Sequence, residues 1–265
     1  MDQARHYICK SCMTAVPRGH KFCGRCGEPL PDQALAQTTR YFSDMQDPTK
    51  ARLILIQGEI NGQGMEGLSY HLKADHHVVG RNGQVELEFP DDNFVSPTHA
   101  NFFYRNNKLV VRDEGSMNGV YVRIRGTVDL APGDTLMLGK QVLRFDKTPN
   151  TPDVADPEGT YFYTSPRHPG GFRVTQLLAG GGFGVTVCTK GTSLQIGQED
   201  SDLNFTDDEY VDAKHCSIEE IGGKFRLTDN NSHNGTYLRI KSEVELGHGD
   251  YVFIGKKLLR VELNA

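Results

Sequence analysis

Four of the six cysteines lie close together near the start of the chain, with the spacing of metal ligands. Cys9 and Cys12 form one CxxC pair, and Cys23 and Cys26 form a second pair after ten intervening residues. Two such pairs can surround a single Zn²⁺ with four thiolates in a tetrahedron. A tetrahedral site with four protein ligands has no open position for water or substrate. We therefore predict one structural zinc ion, without a catalytic role.

The alternative interpretation of these cysteines is a pair of disulfides or unused thiols. The first residues, MDQARHYICKSC, lack the apolar core of a secretion signal, and clustered cysteines in a reducing compartment are more often metal ligands than disulfides. Residues 1–30, with the ending FCGRCG, resemble a zinc ribbon of the short bacterial kind. His6 and His20 are possible substitute ligands, but four thiolates already complete the site. A segment this small cannot build a hydrophobic core, so metal binding should supply most of its folding free energy.

A second set of residues occurs twice at a fixed offset of 116 residues, which predicts two copies of one domain. The residues that keep the offset are His99 and His215, Asn118-Gly119 and Asn234-Gly235, Gly133-Asp134 and Gly249-Asp250, and Gly139-Lys140 and Gly255-Lys256.

The composition favours an all-β fold for both copies. Only 37% of the residues are hydrophobic, while the chain of 265 residues contains 29 Gly and 12 Pro. That balance is typical of short strands joined by many turns. No stretch approaches the roughly 20 apolar residues of a membrane span. We expect a cytoplasmic protein that does not contact a membrane.

The same patterns divide the chain into five segments. Two Pro-containing polar stretches separate the cysteine-rich segment and the two copies, which we call the first and second repeats. The predicted segments are the zinc ribbon 1–30, a flexible linker 31–50, the first repeat 51–146, a second linker 147–171 and the second repeat 172–265.

The repeats resemble the forkhead-associated (FHA) domain, and the resemblance covers nearly all of 51–146 and 172–265. It implies two tandem β-sandwiches of eleven strands, whose loops at one end bind phosphothreonine peptides. Four motifs in the right order carry the resemblance in the first repeat: Gly80-Arg81, Ser96-Pro97-Thr98-His99, Ser116-Met117-Asn118-Gly119 and Pro132-Gly133-Asp134.

The resemblance also assigns roles to individual residues of the first repeat. A phosphothreonine carries nearly two negative charges and three strong acceptors. Arg81 would supply the positive charge and Ser96 a hydroxyl donor, while the Asn118 amide would bind the peptide backbone. Thr98 is an auxiliary candidate contact because Pro97 stands where many members have Arg.

Other residues of these motifs are implied to be structural. His99 and His215 would tie loops together, and Gly119 would relax the Asn-Gly turn.

The second repeat departs from the pattern at the positions that would hold phosphate. Gln198 occupies the position of the arginine, and Asp212 occupies that of Ser96. A carboxylate there would repel phosphate. We predict that the second repeat folds but does not bind phosphothreonine, and that it serves phospho-independent assembly.

The first linker contains a possible internal ligand. Thr38 and Thr39 resemble the phosphorylated Thr-Thr tail of small bacterial FHA regulators, and a linker of this length can reach the loops of the neighbouring domain. The alternative is an ordinary polar linker. Phosphorylated Thr38 or Thr39 is therefore a candidate to bind the Arg81 site intramolecularly.

The resemblance to the FHA domain implies a phosphothreonine-dependent adaptor in kinase signalling, whose partner is a Ser/Thr kinase or its substrate. No motif combines a nucleophile, a base and an orienting group, so we do not expect an enzyme. Two alternatives stay open: a structural scaffold with both pockets silent, and nucleic-acid binding through the ribbon. The overall charge of −5, and a net charge of about +1 on a zinc-loaded ribbon, disfavour nucleic acid.

Overall fold

The computed structural model describes residues 6–12, 14–17, 20–30, 51–60, 63–64 and 66–263. These residues form strands and one 3-10 turn, Ala179–Gly181, and no α-helix occurs among them. The expected all-β fold is confirmed. No helix within the described ranges is long and apolar enough to cross a bilayer. Thr38, Thr39 and the rest of the first linker lie outside the described residues.

The strands are short, as the high Gly and Pro content predicts, and fourteen of them precede the second linker. The first fourteen are β1 (His6–Ile8), β2 (Ala15–Pro17), β3 (Arg52–Gln57), β4 (Glu59–Ile60), β5 (Gln63–Gly64), β6 (Leu68–His71), β7 (His76–Gly80), β8 (Leu87–Glu88), β9 (Ala100–Arg105), β10 (Lys108–Asp113), β11 (Val120–Arg123), β12 (Thr127–Leu130), β13 (Thr135–Leu138) and β14 (Gln141–Lys147).

The second repeat supplies ten more strands, and residues 148–171 between the repeats contain none. These ten are β15 (Phe172–Leu177), β16 (Phe183–Cys188), β17 (Ser193–Gly197), β18 (Leu203–Asn204), β19 (Cys216–Ile221), β20 (Lys224–Asp229), β21 (Thr236–Arg239), β22 (Val244–Leu246), β23 (Tyr251–Ile254) and β24 (Lys257–Glu262).

The chain folds into two compact units that do not coincide with the two repeats. Unit 1 combines the chain up to Val122 with the segment from Ile240 onwards, and unit 2 is Arg123–Arg239. Each unit therefore contains strands of both repeats. The units differ from the continuous domains expected at 51–146 and 172–265, because the last strands of each repeat belong to the unit that contains the first strands of the other repeat.

The difference arises from a reciprocal exchange of strands between the repeats. In unit 1, β11 pairs with β23, with Val120 opposite Ile254. In unit 2, β21 pairs with β13, with Thr236 opposite Leu138. A shift of 116 residues converts one pair into the other, so each repeat receives from its neighbour the strand that it would otherwise supply itself. The pairing of β10 with β22 and of β20 with β12 is exchanged in the same way.

Each core likewise contains side chains from both repeats. In unit 1, Phe102 of the first repeat is buried in one cluster with Leu259 of the second. In unit 2, Phe145 of the first repeat packs against Phe172 and Phe225, with ring centroids 5.6 and 5.0 Å away. Burial of these large apolar groups, at about 25 cal/mol per Å², holds the exchanged strands in place.

The cysteine-rich segment extends the sheet of unit 1. Strand β1 pairs with β2 and also, antiparallel, with β6, with Tyr7 opposite Leu68. The backbone N–H of Ile8 donates to the carbonyl of Gly67 at 2.7 Å. Gly67 has a φ of 84°, and an added Cβ would lie 2.9 Å from the Ile8 carbonyl oxygen, so a larger residue would not fit. The segment is thus joined to unit 1 by backbone hydrogen bonds.

Candidate functional site

The loop after β7 and the loop before β9 are held in close contact by a glycine. A Cβ added to Gly80 would lie 2.0 Å from the carbonyl oxygen of Pro97, so no other residue allows this approach. The next residue, Arg81, donates its backbone N–H to the carbonyl of Ser96 at 3.0 Å. The backbone thereby places the predicted cation beside the predicted hydroxyl.

The Arg81 side chain is exposed, and its Nε donates to the carbonyl of Val95 at 3.2 Å. This bond fixes the guanidinium over the loop. The two terminal nitrogens have no partner among the described protein residues, so they are available to an anion. A planar guanidinium held in this way suits bidentate binding of a phosphate.

His99 is fully buried and joins the Ser96 loop to the Asn-Gly turn. The backbone N–H of Ser96 donates to His99 Nδ1 at 3.0 Å. Nδ1 is therefore the acceptor, and the protonated Nε2 donates to the carbonyl of Gly119 at 3.0 Å. The ring satisfies one buried donor and one buried acceptor, which agrees with a structural role.

The turn at Asn118 closes the site on its other side. Gly119 has a φ of 83°, and its N–H donates to Ser116 Oγ at 2.9 Å. The exposed Asn118 side chain donates from Nδ2 to the carbonyl of Phe94 at 2.8 Å. Ser96 Oγ accepts the backbone N–H of Met117 at 3.1 Å, which leaves its own hydrogen free to donate.

The structure thus brings together the four predicted contacts around one loop, residues 94–98. Arg81 and Asn118 bind its carbonyls, while Ser96 and Thr98 belong to it. Thr98 is exposed and lies at the contact with Gly80, where its Cα would be 3.3 Å from an added Cβ.

The second repeat builds the same scaffold in unit 2. The backbone N–H of Asp212 donates to His215 Nδ1 at 3.1 Å, and His215 Nε2 donates to the carbonyl of Gly235 at 3.1 Å. Asn234 Nδ2 donates to the carbonyl of Tyr210 at 3.0 Å. The fold of the loops therefore survives in the second repeat.

Its polar groups are different in kind. A carboxylate oxygen of Asp212 accepts the backbone N–H of His233 at 2.8 Å, as Ser96 Oγ does from Met117. The carboxylate adds a negative charge and has no hydrogen to donate. Gln198 Nε2 donates to the carbonyl of Asp208 at 3.3 Å and brings no charge. The second repeat therefore has a carboxylate in place of the Ser96 hydroxyl and a neutral amide in place of the Arg81 guanidinium.

Sequence reasoning did not identify Phe94 and Lys256 as neighbours of the site. Lys256 Nζ lies 4.9 Å from the centroid of the Phe94 ring, and Phe94 is 49% exposed. The only signal in the sequence was the Gly-Lys dipeptide that occurs in both repeats. The dipeptide could not show beside which site each lysine lies, because that depends on the exchange of strands between the repeats.

The cysteine cluster has the geometry of a metal site. The Sγ atoms of Cys9, Cys12, Cys23 and Cys26 all lie within 4.8 Å of one another. Cys9 and Cys26 are 3.4 Å apart, which is too far for a disulfide. Four sulfurs about 2.3 Å from a tetrahedral ion would be about 3.8 Å apart. The residues present therefore fit a metal ion with four thiolate ligands.

The thiol pKa values are consistent with that fit. The hydrogen bond between Cys12 and the Thr14 hydroxyl lowers the pKa of the Cys12 thiol to about 6. The backbone N–H of Glu28 lowers the pKa of Cys26, but the adjacent Cys12 sulfur and burial outweigh it and raise this pKa to about 12. Closely packed sulfurs resist joint deprotonation, and a bound cation removes that resistance.

Comparison with known proteins links both repeats to one family. A family model described as FHA domain matches residues 77–139 and 194–255. Each matched segment runs through an exchange point, so its last strands belong to the other unit.

A bacterial inhibitor and a bacterial regulator are among the similar proteins. The oxoglutarate dehydrogenase inhibitor of Corynebacterium diphtheriae is 31% identical over 109 residues, which cover 40% of this chain and 73% of that protein. The glycogen accumulation regulator GarA of Mycobacterium tuberculosis is 44% identical over 70 residues, which cover 25% of this chain and 42% of GarA. The matched part is thus less than half of GarA.

A solved structure from a study of phosphothreonine-dependent FHA domain interactions aligns with 82% of this chain and 99% of its own. Its TM-score is 0.33 and its sequence identity 12%. The family assignment therefore depends on the sequence matches.

Proposed function

The chain belongs to the FHA-domain family, and we propose that it is a phosphothreonine-dependent adaptor whose phosphopeptide site is the one around Arg81. The single observation that carries the proposal is the difference between Ser96 and Asp212. Both accept the equivalent backbone N–H, but only Ser96 can donate to phosphate, and the neutral Gln198 takes the place of Arg81 in the second repeat. The partner is a phosphothreonine-containing protein, a Ser/Thr kinase or its substrate.

The direct test is titration of the full-length protein with a degenerate phosphothreonine peptide library. Arg81→Ala is expected to weaken binding about 10- to 100-fold, since a charge-assisted hydrogen bond contributes about 1.5–3 kcal/mol. Gln198→Ala is the matched control and should leave the affinity unchanged. Equal binding of threonine and phosphothreonine peptides would refute the proposal and favour a structural scaffold.

For the second repeat we infer a phospho-independent role in assembly, without enzymatic activity anywhere in the chain. Its loops keep the His215 hydrogen bonds, so the surface is ordered, while Asp212 disfavours phosphate. A pull-down that compares the wild-type protein with Tyr210→Ala, a change in the loop that contains Asp212, would test this role. Loss of a bound partner, with phosphopeptide affinity retained, is the expected result.

We assign one structural Zn²⁺ to the four cysteines, on the strength of the all-thiolate ligand set and the spacing of the sulfurs. Cysteines that serve as metal ligands instead of forming disulfides are typical of a reducing compartment, and we place the protein in the bacterial cytoplasm. A shift of binding with salt on addition of DNA or RNA would instead favour a nucleic-acid role for the ribbon.

Thr38 and Thr39 are proposed as the internal ligand of the Arg81 site after phosphorylation. The resemblance of this threonine pair to the phosphorylated Thr-Thr tail of small bacterial FHA regulators supports the idea. Mass spectrometry after kinase treatment should find phosphate on one of them, and the modified protein should lose access to added phosphopeptide. Unchanged access would exclude the switch.

A further inference from the structure

We propose that Lys256, from the second repeat, determines the specificity of the phosphopeptide site of the first repeat by binding an acidic side chain of the same peptide. The proposal rests on the proposed function and deepens it. It assigns to the Arg81 site a residue that lies far outside the first repeat in sequence, and it names the chemistry that this residue selects.

The turn that carries Lys256 is packed tightly against the loop of the site. Asp92 is 3% exposed, and its carboxylate accepts the backbone N–H of Lys256 at 2.8 Å. Gly255 has a φ of 58°, and an added Cβ would lie 2.5 Å from Val95 Cγ2. Val95 is the residue whose carbonyl holds Arg81. The backbone positions of the lysine and the arginine are therefore fixed by the same short loop.

The Lys256 ammonium group lies next to the predicted peptide contacts. Its Nζ lies over the Phe94 ring, and the carbonyl of Phe94 accepts the hydrogen bond from Asn118. One aromatic residue thus separates the lysine from the asparagine. A peptide whose backbone binds Asn118 would place a flanking side chain over Phe94, within reach of the ammonium group.

The charge of Lys256 is available to a ligand, whereas that of Lys257 is not. Lys257 Nζ is 3.6 Å from the buried Asp92 carboxylate, and its side chain is only 5% exposed. Lys256 is exposed and contacts an aromatic ring instead of a carboxylate. A cation held over an aromatic face keeps its ability to pair with an anion.

The equivalent lysine in unit 2 is already paired. The backbone N–H of Lys140 donates to Asp208 at 2.8 Å, and its Nζ lies 5.0 Å from the Tyr210 ring. Its Nζ also forms an ion pair with Glu209 at 3.2 Å. In the first repeat the position of Glu209 is occupied by Asn93, which is neutral. The glutamate that pairs with Lys140 in unit 2 therefore has no counterpart at the equivalent position of unit 1.

The surroundings favour a single carboxylate over a second phosphate. The groove beside Lys256 has a volume of about 560 Å³ and is also lined by Asp91 and Glu66. Glu66 pairs with Lys10 at 3.4 Å. One exposed ammonium group among carboxylates would bind a glutamate or aspartate side chain, while a dianion would meet more repulsion.

The test uses the full-length protein and phosphothreonine peptides that carry Glu or Gln at each flanking position. The wild type should prefer Glu about fivefold at one of these positions, the effect of one exposed ion pair. Lys256→Gln should abolish the preference and leave the Gln peptides unaffected. The matched variant Lys140→Gln should change nothing, and Asn93→Glu, which provides the missing internal anion, should abolish the preference with Lys256 in place.

Each outcome bears on a separate claim. Loss of the preference in Lys140→Gln, but not in Lys256→Gln, would show that the first repeat uses its own lysine and would overturn the proposal. A wild type without any preference for Glu would overturn it as well, while the dependence on phosphothreonine and on Arg81 could still hold. Failure of the wild type to distinguish phosphothreonine from threonine would refute the proposed function itself, and this inference with it.

Discussion

The carboxylate of Asp212 accepts the backbone N–H of His233 at 2.8 Å. It is the counterpart of the Ser96 hydroxyl, which accepts the N–H of Met117. The loop architecture is thus the same in both repeats. The acceptor differs: the Ser96 hydroxyl can donate a hydrogen bond to an anion, whereas the Asp212 carboxylate carries a negative charge and repels it. A difference in ligand binding between the repeats therefore requires no difference in fold.

A gain of function in the second repeat would test this view. In an Arg81→Ala background, the double change Gln198→Arg and Asp212→Ser should create phosphopeptide binding, because it supplies a cation and a donor on an intact scaffold. We expect at least a roughly tenfold increase in affinity by calorimetry, the equivalent of about 1.4 kcal/mol. Gln198→Arg alone is the control and should gain little, since the arginine would pair with Asp212. No gain in the double variant would mean that the scaffold of unit 2 is unsuitable.

Removal of the buried histidines should destabilise the protein. His99→Ala leaves the N–H of Ser96 and the carbonyl of Gly119 without their partner, which costs about 2–3 kcal/mol of unfolding free energy. His215→Ala should cost a similar amount in unit 2. Urea denaturation would measure both losses, and only His99→Ala should also weaken phosphopeptide binding. A loss below about 0.5 kcal/mol would contradict the structural role.

Crosslinking can establish the strand exchange. The hydroxyls of Thr127 and Thr228 are 2.9 Å apart across β12 and β20. Thr127→Cys with Thr228→Cys should therefore oxidise to a disulfide within one chain, which peptide mapping would detect. Without exchange, Thr127 would instead face Arg112, the first-repeat equivalent of Thr228. The matched pair Thr127→Cys with Arg112→Cys should stay reduced, and its preferential crosslinking would show continuous domains.

Metal removal should affect unit 1 beyond the cysteines themselves. Chelation should release one Zn²⁺ per chain and loosen β1, which pairs with β6. Hydrogen exchange at Leu68 and Ser69, the two residues of β6 that pair with β1, should then accelerate by at least about tenfold, because they lose the cover of the neighbouring strand. Cys12→Ser should reproduce the effect, while Cys188→Ser should retain the metal. Unchanged exchange after metal loss would mean that β1 stays in place without the ion.

Cys216 should be inert in the folded protein. It is fully buried, and burial raises the pKa of its thiol to about 12. At pH 8 almost none of it is thiolate, and the thiolate is the reactive form. Iodoacetamide followed by mass spectrometry should leave Cys216 unmodified until denaturant is added. Labelling of Cys216 in the native protein at the rate of a free thiol would contradict the packing of unit 2.

Much of the site was predictable because its residues are contiguous motifs with fixed geometry. Gly80 precedes Arg81 by one residue, and Ser96 and His99 are three residues apart, so local turn geometry sets their relation. The second repeat was likewise predictable as a departure from the pattern at Gln198 and Asp212. The contact of Phe94 with Lys256 joins residues 162 positions apart, and no local pattern relates them.

The sequence by itself determined the all-β fold, the cysteine cluster, the two repeats and the contrast between the polar residues of the first repeat and those of the second. Only the tertiary structure decided which strands complete which unit. The physical reason is that β11 and β21 are equivalent strands of the two repeats, and so are β13 and β23. Either member of the first set can therefore pair with either member of the second in the same register and with similar apolar faces. Two equivalent pairings are therefore compatible with one sequence pattern, and the choice between them depends on packing across the whole chain. That choice places Lys256 beside the first site.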